Sequence, residues 1–220
     1  YFAPTERVVE RLKLYGVKSE NIFLTGYPLP QENIGKDMVI LKEDLKLRLF
    51  NLDPKGEYCE KHKPLIKVNL GQLPVKSDHP LTLMFSVGGA GAQKEIGVKI
   101  LRSLRFDIFQ GRIKVILSAG VKENIKQYFE RALSELKIKK DGVEIIFEKD
   151  VKNYFARFNQ ALRKTDILWT KPSELSFYSA LGIPIIVAPP VGSQEEFNMR
   201  WLLKSHFGLF QENPDYTNQW

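Results

Sequence analysis

Cysteine occurs once in the chain, at Cys59, and histidine three times in 220 residues. A lone cysteine builds no internal disulfide, so the fold must rest on an apolar core and suits a reducing compartment. Cys59 has only His62 beside it and His79 lies far along the chain, two ligands short of a zinc site, so no metal is expected. Long apolar runs are missing as well. No stretch approaches the roughly eighteen uninterrupted apolar residues of a membrane span, and the start Tyr1-Phe2-Ala3-Pro4 lacks the charged region and apolar core of a signal peptide. The expected compartment is cytoplasmic, with peripheral attachment to a membrane as the alternative. The chain also lacks an initiating methionine and opens on an apolar, strand-like pair, the pattern expected of a piece of a longer protein.

What is present is enough for a full core: 43% of the residues are hydrophobic. The formal net charge of +7 would suit an anionic partner. Its distribution argues against nucleic acid. Lysines between Lys122 and Lys140 alternate with Glu123, Glu130 and Glu135, as on a solvated helix face, and no dense Lys/Arg run is interleaved with aromatics.

From Leu81 onward, short apolar runs alternate with helical stripes. Strands are expected over 81–87, 113–117, 143–147, 167–169 and 183–188. Between them, Ile96, Ile100, Leu101 and Leu104 share one helix face, Ile125, Phe129, Ala132 and Leu133 another, and Tyr154, Phe158 and Leu162 a third. The fold class is therefore α/β: a Rossmann-like parallel sheet with helices on both faces. The first eighty residues differ. Helices are expected over 4–14 and 42–52 and a strand over 22–24. Gly26-Tyr27-Pro28-Leu29-Pro30 makes a stiff turn or linker, and 54–80, without a period, reads as an insertion or long loop. The expected division is 1–30, the end of one domain and its linker, and 31–220, a second domain.

Three strand-to-helix junctions carry candidate chemistry. Val87-Gly88-Gly89-Ala90-Gly91-Ala92-Gln93 would let backbone N–H groups and a helix dipole meet a phosphate; the plainer reading is a tight turn needing small residues. It is neither a Walker loop nor the dinucleotide fingerprint. In Thr170-Lys171-Pro172-Ser173-Glu174, helix initiation explains Pro172, Ser173 and Glu174 but not Lys171, a cation at the carboxyl end of a strand. In Gly192-Ser193-Gln194-Glu195-Glu196-Phe197-Asn198, Ser193 and Glu196 have capping-box spacing. Gln194 and Asn198, four apart, share a helix face, and Glu195 suits a sugar or ribose hydroxyl pair.

These stretches, together with LeuThrGlyTyrProLeuPro at 24–30 and AlaLeuGlyIlePro at 180–184, resemble in order the C-terminal half of the lipid-acceptor GT-B glycosyltransferases. That group includes the bacterial peptidoglycan N-acetylglucosaminyltransferase and the diacylglycerol glycosyltransferases of plants and bacteria. The resemblance implies a C-terminal donor domain that binds a nucleotide-sugar, usually UDP-linked, and a missing N-terminal domain that binds an acceptor, which in this group is lipid-linked. Gly88, Gly89 and Gly91 would face the diphosphate. Thr170, Lys171 and Pro172, followed by Ser173 and Glu174, would line the pocket, and Gln194, Glu195 and Asn198 would reach the sugar. Phe147 would lie near the base, and Gly120 at another ligand-facing strand end. The chain departs from the family pattern at Ser173-Glu174, where Gly-Gly is usual, and near Ser179, where the family has a ribose-binding glutamate. The family's general base belongs to the N-terminal domain, so no catalytic residue is assigned, and the donor is a substrate with no further cofactor implied. A non-catalytic nucleotide- or sugar-binding relative and a sugar-nucleotide epimerase are the competing functions.

If the glycine-rich turn meets phosphate, Gly89→Asp should weaken nucleotide binding more than folding, because it sets a side chain and a negative charge against the anion. Calorimetric titration beside thermal denaturation checks this; equal losses would favour the packing turn.

Overall fold

The computed structural model describes residues 1–86 and 91–219, apart from the side chains at positions 140 and 174. The chain divides into two units, Tyr1–Gln31 and Glu32–Trp220.

The first unit is a βαβ element: β1 (Phe2–Ala3), α1 (Glu6–Leu14) and β2 (Phe23–Leu24). The strands pair in parallel, Phe2 opposite Phe23 and Ala3 opposite Leu24. Thr5 opens α1 from an extended conformation, its hydroxyl accepting the Val8 N–H at 3.4 Å. So short a unit cannot cover its own apolar side chains. Phe2 and Leu14 are 80% and 84% exposed.

The second unit begins with α2 (Gln31–Ile34, which straddles the division), α3 (Val39–Leu52), α4 (Glu57–Lys61) and α5 (Lys63–Asn69). A sheet follows, of β3 (Leu81–Ser86), β4 (Ile113–Gly120), β5 (Val143–Phe147), β6 (Ile167–Thr170), β7 (Ile185–Val187) and β8 (Gly208–Phe210). Their order is β5-β4-β3-β6-β7-β8, and every pair is parallel. The connections are α6 (Lys94–Ser103), α7 (Arg105–Phe109), α8 (Glu123–Glu135), α9 (Val151–Leu162), a 3₁₀ segment (Glu174–Leu181) and α10 (Ser193–Lys204). This is the doubly wound α/β class expected from the alternating pattern.

Register explains the apolar runs. Phe85 lies opposite Leu117 on one side and Trp169 on the other. These three pack in one core with Leu83, Val115, Ile100 of α6 and Phe129 of α8. Met84, Ile116, Ile146 and Leu168 alternate to the opposite face, and are buried like Phe158 and Leu162 of α9. With both faces covered, the strands have no polar side to show.

Three expectations need correction. The stretch 54–80 contains α4 and α5, whose five and seven residues are too short to display a period. Asp53 stabilises the turn into α4 by accepting the Cys59 N–H at 2.7 Å, and burial beside that carboxylate pushes the Cys59 thiol up to about 11. The segment after β6 is 3₁₀ and not α-helical. The pattern also misses α7 and β8, again for shortness.

Helix α3 has no apolar stripe, because its inward face is polar. Asp44, Arg48 and Asn51 recur one turn apart, and the first two are buried. Arg48 donates from Nε to the Thr165 carbonyl at 3.0 Å and from Nη1 to the Leu181 carbonyl at 2.8 Å. Burial lowers its pKa to about 10, so it stays charged. Arg163 grips Asp44 with two nitrogens, at 3.0 and 3.2 Å. Asn51 and the Thr82 N–H both donate to Asp166 Oδ2, at 2.9 and 2.8 Å. The His79 ring lies between Asp78 and Asp166, its Nε2 3.4 Å from the latter.

Burial alone would lower the His79 pKa, but the neighbouring carboxylates of Asp166 and Asp78 outweigh it and the net shift is upward. A raised folded-state pKa gives stability that is full below the unfolded value of about 6.5 and is lost as pH rises through the folded value. Urea midpoints measured from roughly pH 6 to pH 8 should therefore fall with pH, and His79→Gln should flatten that slope. An unchanged slope in the variant would place the titrating group elsewhere.

Candidate functional site at the carboxyl edge of the sheet

Because all six strands run the same way, Ser86, Gly120, Phe147, Thr170 and Val187 end on one edge. The chain winds outward from β3 through β4 to β5, then returns to β6 on the other side of β3, so the strand order reverses between β3 and β6. In open α/β sheets that reversal leaves a crevice where ligands bind. Thr170 Oγ1 donates to the Ser86 carbonyl across it at 3.3 Å. Behind it, the Tyr154 and Ser118 hydroxyls share a hydrogen bond of 2.7 Å, and burial raises the Tyr154 pKa.

The loop after β6 and the start of α10 are tied together. Lys171 Nζ meets Glu195 Oε1 at 2.6 Å, with the two side chains only 13% and 11% exposed. Glu195 Oε2 accepts the Val191 N–H at 2.8 Å, and Asn198 Nδ2 donates to the Pro172 carbonyl at 3.0 Å. Burial would raise the Glu195 pKa, but the bonds from Lys171 and Val191 lower it overall, so the carboxylate is ionised at neutral pH. The sequence places a cation at Lys171, at the carboxyl end of a strand; in the structure its ammonium is paired with Glu195. Any anion arriving here competes with that carboxylate.

The capping box is also corrected. Gly192 is the N-cap of α10, and Ser193 is already helical and makes no capping bond. Glu195, the third helical residue, reaches back to the Val191 N–H, while Glu196 pairs outward with Arg200 at 3.6 Å. Gln194 is exposed, while the Asn198 amide nitrogen is engaged with the Pro172 carbonyl.

Ser173 precedes the 3₁₀ segment in extended conformation without a side-chain cap. Gly91 has φ +74°, which favours glycine, and a Cβ there would stand 3.0 Å from Ile125 Cδ1, so that side chain would have to shift slightly. Gly120 has φ +67° at an irregularity in the β4–β5 ladder, with open space where a Cβ would be. Phe147 is half-buried, with Lys126 Nζ 5.3 Å from its ring centre. Gly88 and Gly89 lie outside the described residues, as does the side chain of Glu174.

Sequence reasoning missed several participants. Gln93, the left-handed N-cap of α6, donates to the Pro189 carbonyl at 2.9 Å while its Oε1 is buried without a partner among the described residues. The Ser176 and Ser179 hydroxyls are likewise buried and unpartnered there. Tyr154 carried one signal, a hydroxyl inside an otherwise apolar stripe, and Ser179 stands near where the resembled family has a glutamate; Ser176 carried none.

The architecture is that of a Rossmann-like half of a GT-B type fold. It is similar to a UDP-GlcNAc 2-epimerase from Neisseria meningitidis solved with UDP-GlcNAc, with a TM-score of 0.51 and 15% identity over 99% of this chain and 49% of that one. Weaker likenesses are a putative UDP-N-acetylglucosamine 2-epimerase from Listeria monocytogenes (TM-score 0.48, 16% identity, 90% of this chain and 44% of that one) and a glycosyltransferase from Rickettsia africae (0.48, 13%, 99% and 51%). The chain thus spans about half the length of these structures. In sequence, the model of a domain of unknown function, DUF6938, matches residues 74–141 and 121–200, and the chain belongs to that family. No curated protein matches it in sequence.

A largely buried ion pair is most costly when half of it is removed. Lys171→Met should destabilise the second unit by about 2–4 kcal/mol in urea denaturation, and adding Glu195→Gln should recover part of the loss, a coupling of about 1–3 kcal/mol. Simple additivity would show that the pair contributes nothing of its own.

Proposed function

We propose that this chain is the nucleotide-sugar-binding half of a GT-B type enzyme that transfers a hexosyl or N-acetylhexosaminyl group from a UDP-linked donor. The observation that carries this reading is the strand-order reversal between Ser86 and Thr170, with Lys171, Glu195 and Asn198 meeting beside it. The donor diphosphate would lie over the start of α6 and draw Lys171 away from Glu195. The freed carboxylate would then accept hydroxyls of the transferred sugar, which free UDP lacks. Departure of the charged diphosphate in the transition state would be favoured by helix N-termini and Lys171.

The acceptor, lipid-linked in the group whose motifs this chain resembles, would be held by an N-terminal domain. The exposed apolar side chains of the βαβ element support reading residues 1–30 as the closing part of that domain. A second reading, epimerisation of a UDP-sugar, is favoured by the fold likeness to the Neisseria epimerase. A third, binding without catalysis, is favoured by the carboxylate that already occupies Lys171.

Calorimetric titration of the chain with UDP, GDP, dTDP and their sugars tests the pocket without an acceptor. UDP and a UDP-sugar should bind. Glu195→Gln should tighten free UDP by about three- to tenfold, with the larger gain at low salt, because it releases Lys171. No binding by any of the three nucleotides would sink the reading. Product analysis on the protein with its N-terminal half then separates sugar transfer, epimerised sugar and neither.

A further inference from the structure

We propose that the cleft between α7 and the α8–β5 connection docks on an anionic lipid bilayer. It has a volume of about 840 Å³, and Arg102, Arg105, Lys137 and Lys139 line it against a single acidic residue, Asp141. Arg105, Lys137 and Lys139 are exposed and make no ion pair among the described residues. Arg102 stands 3.9 Å from Asp215, which Lys99 already holds at 3.2 Å. Two aromatic rings accompany the cations. Helix α7 buries Ile108 and leaves Phe106 and Phe109, one turn apart, 63% and 77% exposed. The Arg112 guanidinium, itself paired with Asp107, lies 5.3 Å from the centre of the Phe106 ring.

Exposed phenyl rings beside unpaired cations fit a partner with anionic groups above an apolar layer. A bilayer offers that arrangement: phosphates reach the cations of both segments while the rings enter the acyl boundary. The net charge of +7 adds long-range attraction to such a surface. An acidic peptide would satisfy the cations but has less need of two rings on the outer side of so short a helix. No described helix is long and apolar enough to cross a membrane, so this contact would lie on the surface. Residues 105–109 and 137–142 immediately precede β4 and β5, which puts the cleft at the amino edge of the sheet. Docking there would leave the carboxyl edge open, and the inference does not depend on nucleotide binding.

Co-sedimentation with vesicles of phosphatidylcholine, alone or with about one-third phosphatidylglycerol, tests it. The chain should sediment with the anionic vesicles only, and at least about tenfold less well in high salt. Phe106→Ser with Phe109→Ser, and Arg105→Glu with Lys139→Glu, should each reduce binding about tenfold or more, with circular dichroism confirming the fold. Lys149→Glu with Lys152→Glu makes the same change in net charge at exposed positions elsewhere and should retain most of the binding. The proposal is overturned by absence of binding to anionic vesicles at low salt, by equal loss in the Lys149/Lys152 control, or by binding that survives the phenylalanine pair. It is also overturned if a Glu/Leu-rich peptide binds at this cleft and vesicles do not.

Discussion

Parallel strands cannot be joined by tight turns, so each return must cross a face of the sheet and the two faces must be covered. In this chain the pairing of β3 with both β4 and β6 decides the rest. It buries Phe85 between Leu117 and Trp169, brings every strand-to-helix junction to one edge, and opens a gap in the helical layers where winding reverses. The motifs at 87–93, 170–174 and 192–198 are far apart in sequence, and they follow three strands that this pairing and the β6–β7 ladder set side by side.

Much of that frame is legible without coordinates. Buried parallel strands read as short continuous apolar runs, and Val143–Phe147 falls where the run predicts. Asp150 caps α9, accepting the Asn153 N–H at 2.9 Å. The stripes of α6 and α8 supply Ile100 and Phe129 to the core. These are local signals, set by the period of the element itself.

The polar contacts are less legible, because their partners are distant or their phase is off by one. Arg48 satisfies two carbonyls 117 and 133 positions away, and nothing in the sequence of α3 announces them. Around Ser193 the residue types were right and the register wrong: with Gly192 as the cap, Glu195 turns back to the chain and Glu196 faces solvent. That one-residue shift also decides which carboxylate finds Lys171. A cation inferred from position alone says nothing about an acid 24 residues later.

The inward face of α3 bears on what counts as a unit of folding and of inheritance. The family match begins at residue 74, yet the carbonyls of Thr165 and Leu181 and the carboxylate of Asp166 are satisfied by Arg48 and Asn51, which precede it. A segment cut to the matched region would leave the two carbonyls without Arg48 and Asp166 without Asn51, though Asp166 would still accept the Thr82 N–H. Relatives in which Asp44 changes should carry a compensating change at Arg163, and those in which Arg48 changes one at Asp44 or Asp166, so that the helix behaves as a detached piece of the module it braces.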